Sequence, residues 1–517
     1  MRRRRELSMA QQAAEKRELT ETAGSPAGAA SIESLDPRTD AVIATYPVAD
    51  ANEVARVVER ARPAARWWDS LGFDGRKRWL LDWKKAIASD AQALAAVISR
   101  ETGKPQGDAL LEVMLTVEHL DWAARNAAKV LGKKKVPSGL VSANQEATVR
   151  YQPLGVVGVI GPWNYPLYTP MGSISYALAA GNAVVFKPSE LTPGVAVWIA
   201  DKWQTLVPNQ PVLQVITGDG GTGAALCRAG VDKVAFTGST PTAKKVMALC
   251  AETLTPMVAE CGGKDAMLVD ADADLEEASN FAVFGAMGNA GQTCVGVERI
   301  YVADGVFDTF VQKVAEKAER LRPGGAPDSS YGPMTMARQS EVVRGQIDDA
   351  LARGGRAVLG GPESIRAPFV EPVILVDVPE DSIAIREETF GPTVVINRVA
   401  DLDEGIAAAN ASKYGLGASI FTRDRRRAVA AAERLRAGVV TINSVLGFAG
   451  VAALPFGGVG ESGFGRIHGA DGLREFSRAK SVARQKYKAP LNLLSMERKA
   501  RDMKIAAWLL KTRHGRG

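Results

Sequence analysis

Short apolar segments alternating with helical ones constrain this chain more than any other feature of its sequence. VVGVI (156–160), AVVFK (183–187), VLQVIT (212–217) and KVAFT (233–237) are near-continuous apolar runs of strand length. Strands without polar alternation are buried on both faces, as happens where helices cover a mainly parallel sheet. Helical stretches lie between them, including MGSISYALAAG (171–181), which ends at a glycine. The pattern resumes after residue 265 with MLV (267–269), RIYV (299–302), AVLG (357–360), PVILVDV (372–378), TVVINRV (393–399), ASIFT (418–422) and GVVTINS (438–444). Helices are expected between them over 305–321, 402–411 and 424–436. So many strands exceed one sheet, and 517 residues exceed one core. Two α/β domains are expected, with a boundary near Gly262–Gly263. Before the first strand, residues 50–130 repeat apolar side chains at helical spacing: Val54, Val57 and Val58, then Trp79, Leu80, Trp83 and Ile87.

Charge and cysteine usage remove several function classes. Of the net charge of +6, residues 491–517 carry +5 and residues 1–21 carry +2, leaving −1 for 22–490. The basic character sits in two tails, so no nucleic-acid footprint is expected on the folded body. Residues 1–30 lack an apolar period and read as a mobile arm, with no apolar stretch behind their arginines to make a signal. The 490–517 tail reads as a basic helix with an apolar face including Ile505, Trp508 and Leu509. Such a helix can make peripheral contact with an anionic membrane, though packing on its own oligomer is the plainer expectation. Cys227, Cys250, Cys261 and Cys294 form no CxxC pair, so neither a disulfide framework nor a thiolate metal site is indicated. A reducing, cytoplasmic setting fits. His119, His468 and His514 are scattered along the chain, and no metal is expected.

The chemistry open to a sheet of this kind depends on what leaves its carboxyl edge. Cys294 lies in NAGQTCVG, just after a helical stretch (275–288) and in a glycine-flanked loop where a backbone N–H can be free. Asn164 lies in GPWNYP, directly after the strand at 156–160. Glu260 follows the strand-like PMVA and precedes two glycines that permit close backbone approach. Together they could supply a thiolate nucleophile, an amide for an oxyanion and a carboxylate to activate water. Taken singly, each has a plainer reading: a buried cysteine filling space, a turn asparagine, a solvated loop carboxylate.

In combination, GPWNYP, KPSE, FTGST, ECGGK, GQTC, EETFGP and LPFGGVGESGFGR occur in that order, and the chain from about 31 to 489 resembles the aldehyde dehydrogenase superfamily. The resemblance implies a Rossmann-like cofactor domain (31–130 and 151–262), a second α/β catalytic domain (263–474) and a β-arm (131–150 and 475–489) for oligomerisation. By it, Cys294 is the nucleophile, Asn164 holds the oxyanion together with the Cys294 N–H, and Glu260 activates water to hydrolyse a thioester. Lys187 and Glu190 hold the adenosine ribose, and Trp163, Gly238 and Ser239 lie at the pyrophosphate. Glu388, with Phe390 beside it, grips the nicotinamide ribose, and Phe456 walls the aldehyde tunnel. Tyr165, Tyr168, Thr169, Met171, Thr293 and Phe448 are further candidates for that tunnel, which leans toward a medium-sized or aromatic aldehyde. A semialdehyde would need an arginine in the tunnel.

A carboxylate at Glu190 would repel a 2′-phosphate, so NAD is expected over NADP. A β-arm has free edges, so a homodimer or homotetramer is expected. Two rival activities remain: an acylating dehydrogenase that passes the thioester to coenzyme A, and a non-catalytic binding protein on the same fold. The presence of Glu260 argues against the first, and its company with Asn164, Cys294 and Glu388 against the second. GDGGTG (218–223) satisfies a dinucleotide fingerprint by spacing, but no acidic residue ends a strand about 20 residues on, so it reads as a loop. ETGKP (101–105) fails as a phosphate loop. Asp265, where the family has Asn or Ser, would raise the pKa of Glu260 if the two carboxylates come close.

Overall fold

A computed structural model describes residues 30–139, 142–326, 328–489, 491 and 493–515. The N-terminal arm expected over 1–30 therefore lies, but for Ala30, outside the described residues. Six strands form the first sheet, in the order Gly463–Phe464, Met257–Glu260, Lys233–Thr237, Val156–Ile160, Ala183–Lys187, Leu213–Val215. All pair in parallel except Gly463–Phe464, which runs antiparallel to Met257–Glu260. The second sheet has seven strands, in the order Arg356–Leu359, Val373–Val376, Thr393–Val399, Val297–Ala303, Asp265–Val269, Gly417–Phe421, Val439–Ile442. Only Arg356–Leu359 is antiparallel there. Gly262 and Gly263 join the last parallel strand of the first sheet to Asp265–Val269 of the second.

Strand limits agree with the sequence where apolar runs are continuous. VVGVI, AVVFK, KVAFT and TVVINRV are strands over those residues, and the first two are buried along their whole length. VLQVIT shortens to Leu213–Val215, an edge strand with one neighbour. Two features depart from the expected layout. Ser31–Asp36 and Ala41–Pro47 form an antiparallel hairpin that no apolar period announced. Gly463–Phe464 belongs by its hydrogen bonds to the first sheet, although the expected catalytic domain ran to 474.

A third sheet joins Lys134–Val136, Gln145–Pro153 and Ser477–Gln485, all antiparallel, in the order third, second, first from its outer edge. Ser477–Gln485 is exposed along nearly all its length. The tail forms a helix, Ala500–His514, on which Met503, Trp508, Leu509 and Leu510 are exposed and Ile505 is half-buried. Among the described residues, no helix is long and apolar enough to cross a membrane.

Long helices cover the first sheet, and tryptophans key them together. Trp203 stands edge-on to Trp68 and Trp83, with ring centroids 5.5 and 5.0 Å apart, and all three are fully buried. Trp68 and Trp83 donate their indole N–H to Leu178 and Ile199 carbonyls, whereas the Trp203 N–H has no partner. Trp203→Ala is thus expected to destabilise by about 3–5 kcal/mol, and Trp203→Phe by much less, since no hydrogen bond is lost. Urea unfolding of the three proteins checks this through the midpoint at unchanged slope.

Candidate active site

The parallel strands of the first sheet deliver their following loops to one edge, and the expected site residues emerge there. Asn164 follows Val156–Ile160, Lys187 ends Ala183–Lys187, Ser239 follows Lys233–Thr237, and Glu260 ends Met257–Glu260. Cys294 comes from the second sheet's side, after the helix Leu275–Met287 and a tight turn at Gly288–Gly291. Three consecutive residues of that turn are left-handed, Asn289, Ala290 and Gly291, at φ 54°, 56° and 69°. At Gly291 the backbone also needs room: a Cβ would stand 2.0 Å from the Gly391 carbonyl oxygen. Left-handed alanine is strained, and strain of this kind persists where surrounding structure imposes it.

One cavity of about 330 Å³ gathers Cys294, Glu260, Thr293, Tyr165, Tyr168, Thr169, Phe448 and Phe456 at its wall. Thr293 and Tyr165 share a 2.9 Å hydroxyl contact, and Phe448 stacks on Phe456 at 5.3 Å. Met171 is buried but does not line the cavity. Asn164 is buried behind the wall, its side-chain N–H₂ donating to the Gln292 carbonyl at 2.9 Å, two residues before Cys294. The remaining expected residues stand outside this cavity. Trp163 meets Phe390 edge-on at 5.4 Å, and the Glu388 carboxyl accepts the Gly263 N–H at 3.1 Å. Glu388 lies so close to Gly262 that a Cβ there would be 2.1 Å from its oxygen.

Burial dominates the electrostatics. The Glu260 carboxyl is pushed up to about 8 by burial, opposed weakly by Arg466, and its Oε1 has no partner. Burial likewise lifts Glu388 to about 8 and Asp265 to about 7. The Cys294 thiol is raised well above its ordinary value by burial first, then by Glu260, Glu388 and Asp265. The expected influence of Asp265 on Glu260 is not found. Asp265 accepts the Gly417 N–H at 3.0 Å and bears instead on Cys294 and Glu388.

Several site residues escaped the sequence. Lys104, Glu112 and Asn289 surround Asn164, and Leu111 and Phe284 stand partly exposed on the cavity wall. His119 and His468, far apart in sequence and read as scattered, meet with ring centroids 3.9 Å apart and planes tilted by 49°, and His468 joins the cavity wall. Local spacing carries no signal for such pairs.

Comparison with known proteins places the chain. The model of the aldehyde dehydrogenase family matches residues 25–482. This chain belongs to the aldehyde dehydrogenase family. It is 39% identical to 4,4′-diapolycopene aldehyde oxidase of Methylomonas sp. over 448 residues, which are 86% of this chain and 84% of that one. It is 36% identical to the mitochondrial aldehyde dehydrogenase of Leishmania tarentolae over 457 residues, 87% and 91% of the two chains. The crystal structure of lactaldehyde dehydrogenase from Escherichia coli superposes with a TM-score of 0.85 at 31% identity, covering 89% of this chain and 97% of that one. The Rossmann-like α/β fold of the aldehyde dehydrogenases is therefore the fold of this chain.

This family uses NAD(P), and the carboxyl edge suits such a group. Ser239 precedes the helix Thr240–Ala251 but gives no side-chain cap to it; its hydroxyl pairs with that of Thr242 at 3.0 Å. The first-turn N–H groups are thereby left for an anion. Lys187 is buried, its ammonium donating to the Pro188 and Gly218 carbonyls at 2.8 Å each, while Glu190 keeps a half-exposed carboxylate 3.9 Å away.

A carboxyl whose folded pKa exceeds its unfolded value stabilises fully below the unfolded value and loses that contribution as pH rises toward the folded one. For Glu260 the window runs from 4.5 to about 8. Glu260→Gln, which stays neutral, is expected to gain on the wild type by about 3–5 kcal/mol across that window at most, and by nothing further above it. Urea midpoints at pH 5, 6.5 and 8.5 check the trend.

Proposed function

We propose that this aldehyde dehydrogenase oxidises uncharged, apolar aldehydes to carboxylic acids with NAD, through a thioester on Cys294 that Glu260 helps to hydrolyse. The observation that carries it is a single apolar cavity with the Cys294 thiol and the unpartnered Glu260 carboxyl at its wall. Hydride leaves a carbonyl carbon readily only after a nucleophile has made it tetrahedral. Cys294 performs that addition once its proton has passed to Glu260, whose elevated pKa makes it an apt acceptor near neutral pH. The oxyanion that forms is held by the Asn164 amide, turned from the Gln292 carbonyl, together with the Cys294 N–H. NAD(P), when bound, supplies the acceptor for the hydride. Glu260 releases that proton to solvent and, ionised again, takes one from a water. The hydroxide attacks the thioester, the C–S bond breaks, and the departing thiolate takes the proton back from Glu260 as the thiol is restored.

On the cofactor side, Gly238 and Ser239 would hold the pyrophosphate, Lys187 and Glu190 the adenosine ribose, and Glu388 with Phe390 and Trp163 the nicotinamide end. Lys187 is committed to two carbonyls and offers little charge to a 2′-phosphate, which supports NAD over NADP. On the aldehyde side, Tyr165, Tyr168, Phe448 and Phe456 make the wall apolar. Lys104 is the one lysine or arginine of the lining among the described residues, and its ammonium is already paired with Glu112. A carboxylated aldehyde finds no free counter-ion there, which disfavours a semialdehyde. The Methylomonas relative is named for 4,4′-diapolycopene aldehyde, and a substrate of that class would suit these walls. Subunits would pair through the exposed strand Ser477–Gln485 into a dimer or tetramer, and the four free cysteines suit the cytoplasm.

Absorbance at 340 nm with NAD or NADP and aliphatic, aromatic and carboxylated aldehydes tests the proposal. Apolar aldehydes with NAD are expected to give the highest kcat/KM, and Cys294→Ala to give none. A preference for carboxylated aldehydes would overturn the substrate reading, and equal rates in Cys294→Ala would overturn the mechanism. In the wild type, kcat is expected to rise with pH along a limb centred near 8, where Glu260 loses its proton. Glu260→Gln is expected to lose that limb along with about 100-fold or more in kcat.

A further inference from the structure

Lys104 and Glu112 form an ion pair of 2.9 Å whose side chains are 1% and 0% exposed. A pair removed so fully from water gains little stability over an apolar one of the same shape. Its remaining hydrogen bonds show where it acts. The Lys104 ammonium donates to the Asn164 carbonyl at 2.8 Å and lies 4.2 Å from the Tyr165 ring centroid. The second Glu112 oxygen accepts the N–H groups of Leu167 and Tyr168 at 2.8 and 3.0 Å. Those N–H groups open the helix Tyr168–Ala180, which has no side-chain cap of its own.

One ion pair thus fixes the backbone at both ends of the segment 164–168. Asn289 grips the same segment from the nucleophile's turn, its side-chain amide reaching both the Asn164 and the Gln292 carbonyls at 3.2 Å. Lys104 and Asn289 both donate to the Asn164 carbonyl, while its side-chain amide donates to Gln292 on the turn that carries Cys294.

We infer that the Lys104–Glu112 pair positions Asn164 for oxyanion binding, and that its effect on the reaction runs through Asn164. This rests on the reading of Asn164 as the oxyanion donor. Lys104 and Glu112 are positioning residues. A merely structural pair would weaken the protein to the same degree whether or not Asn164 carried its amide. A positioning pair would matter only while that amide is present.

A double-mutant cycle separates the two. Wild type, Glu112→Gln, Asn164→Ala and the double variant are assayed for aldehyde oxidation, and without cofactor for p-nitrophenyl acetate cleavage. In the second assay the Cys294 sulfur attacks the ester carbonyl, p-nitrophenolate leaves, and an acetyl thioester remains for hydrolysis. Glu112→Gln is expected to lower kcat by about 100-fold in the wild-type background, as a misplaced donor does, and by less than about threefold beside Asn164→Ala. The KM for NAD and the rate of Cys294 alkylation by iodoacetamide are expected to stay within about twofold of wild type. Equal losses in both backgrounds would overturn the inference, as would a change in NAD KM as large as that in kcat. Should Glu112→Gln fail to fold, Lys104→Met enters the same cycle. A wild type inert toward every aldehyde would sink the proposed function instead, and the ester assay would still judge the pair.

Discussion

A sheet covered on both faces by helices has only its edges left for polar chemistry, and parallel strands send every following loop to the same edge. Asn164, Lys187, Ser239 and Glu260 each stand at or just past the end of a parallel strand of the first sheet. Their convergence follows from strand direction alone, since they lie far apart in sequence. Cys294 is brought to them by a second sheet linked through two glycines, at a place where side chains would collide with Glu388 and with the Cys294 carbonyl. Tight approach at Gly262 and Gly263 is thus what lets two separate cores share one reaction centre.

That centre is kept short of charge. Glu260, Glu388 and Asp265 all hold their protons more tightly than exposed carboxyls do, and the thiol they surround holds its own more tightly still. The nearby cations are engaged elsewhere: Lys264 with Glu298 and the Thr389 hydroxyl, Arg299 with the Lys264 carbonyl. Protons in such a cluster belong to the group as a whole, and moving one changes the affinity of the rest. A thiolate formed here sits in a medium that does not solvate it, which strengthens it as a nucleophile toward a carbonyl at contact distance.

Much of this was legible in the sequence, for identifiable reasons. Continuous apolar runs marked VVGVI, AVVFK, KVAFT and TVVINRV to the residue and the other buried strands to within a few residues, because burial on both faces leaves a run of strand length with little polar interruption. Ordered motifs singled out Cys294, Glu260 and Asn164, and the structure brings Cys294 and Glu260 to one cavity wall with Asn164 behind it. Less local features were not legible. The two strands of the hairpin at 31–47 are exposed or half-buried except at Ser34, so they have no core face for an apolar period to mark. Lys104 and Glu112 look like ordinary surface charges until the fold packs the segment 164–168 against them, and the two histidines meet across more than 300 residues. The condition set for Asp265, a carboxylate close to that of Glu260, is not met: it bears on Cys294 and Glu388 instead, because sequence proximity says nothing of which way a strand residue faces.

The antiparallel strand Gly463–Phe464 bears on how the chain is made. It lies along Met257–Glu260, the strand that ends in Glu260, and Ser477–Gln485 completes the small sheet built on Gln145–Pro153. During synthesis the ribosome releases the rest of the first sheet some two hundred residues before its last member. Until then an edge of paired-ready backbone next to Glu260 stays open, a ready template for the wrong strand. A nascent chain that ends before residue 463 therefore has the strand that carries Glu260 but not the one that covers its open edge.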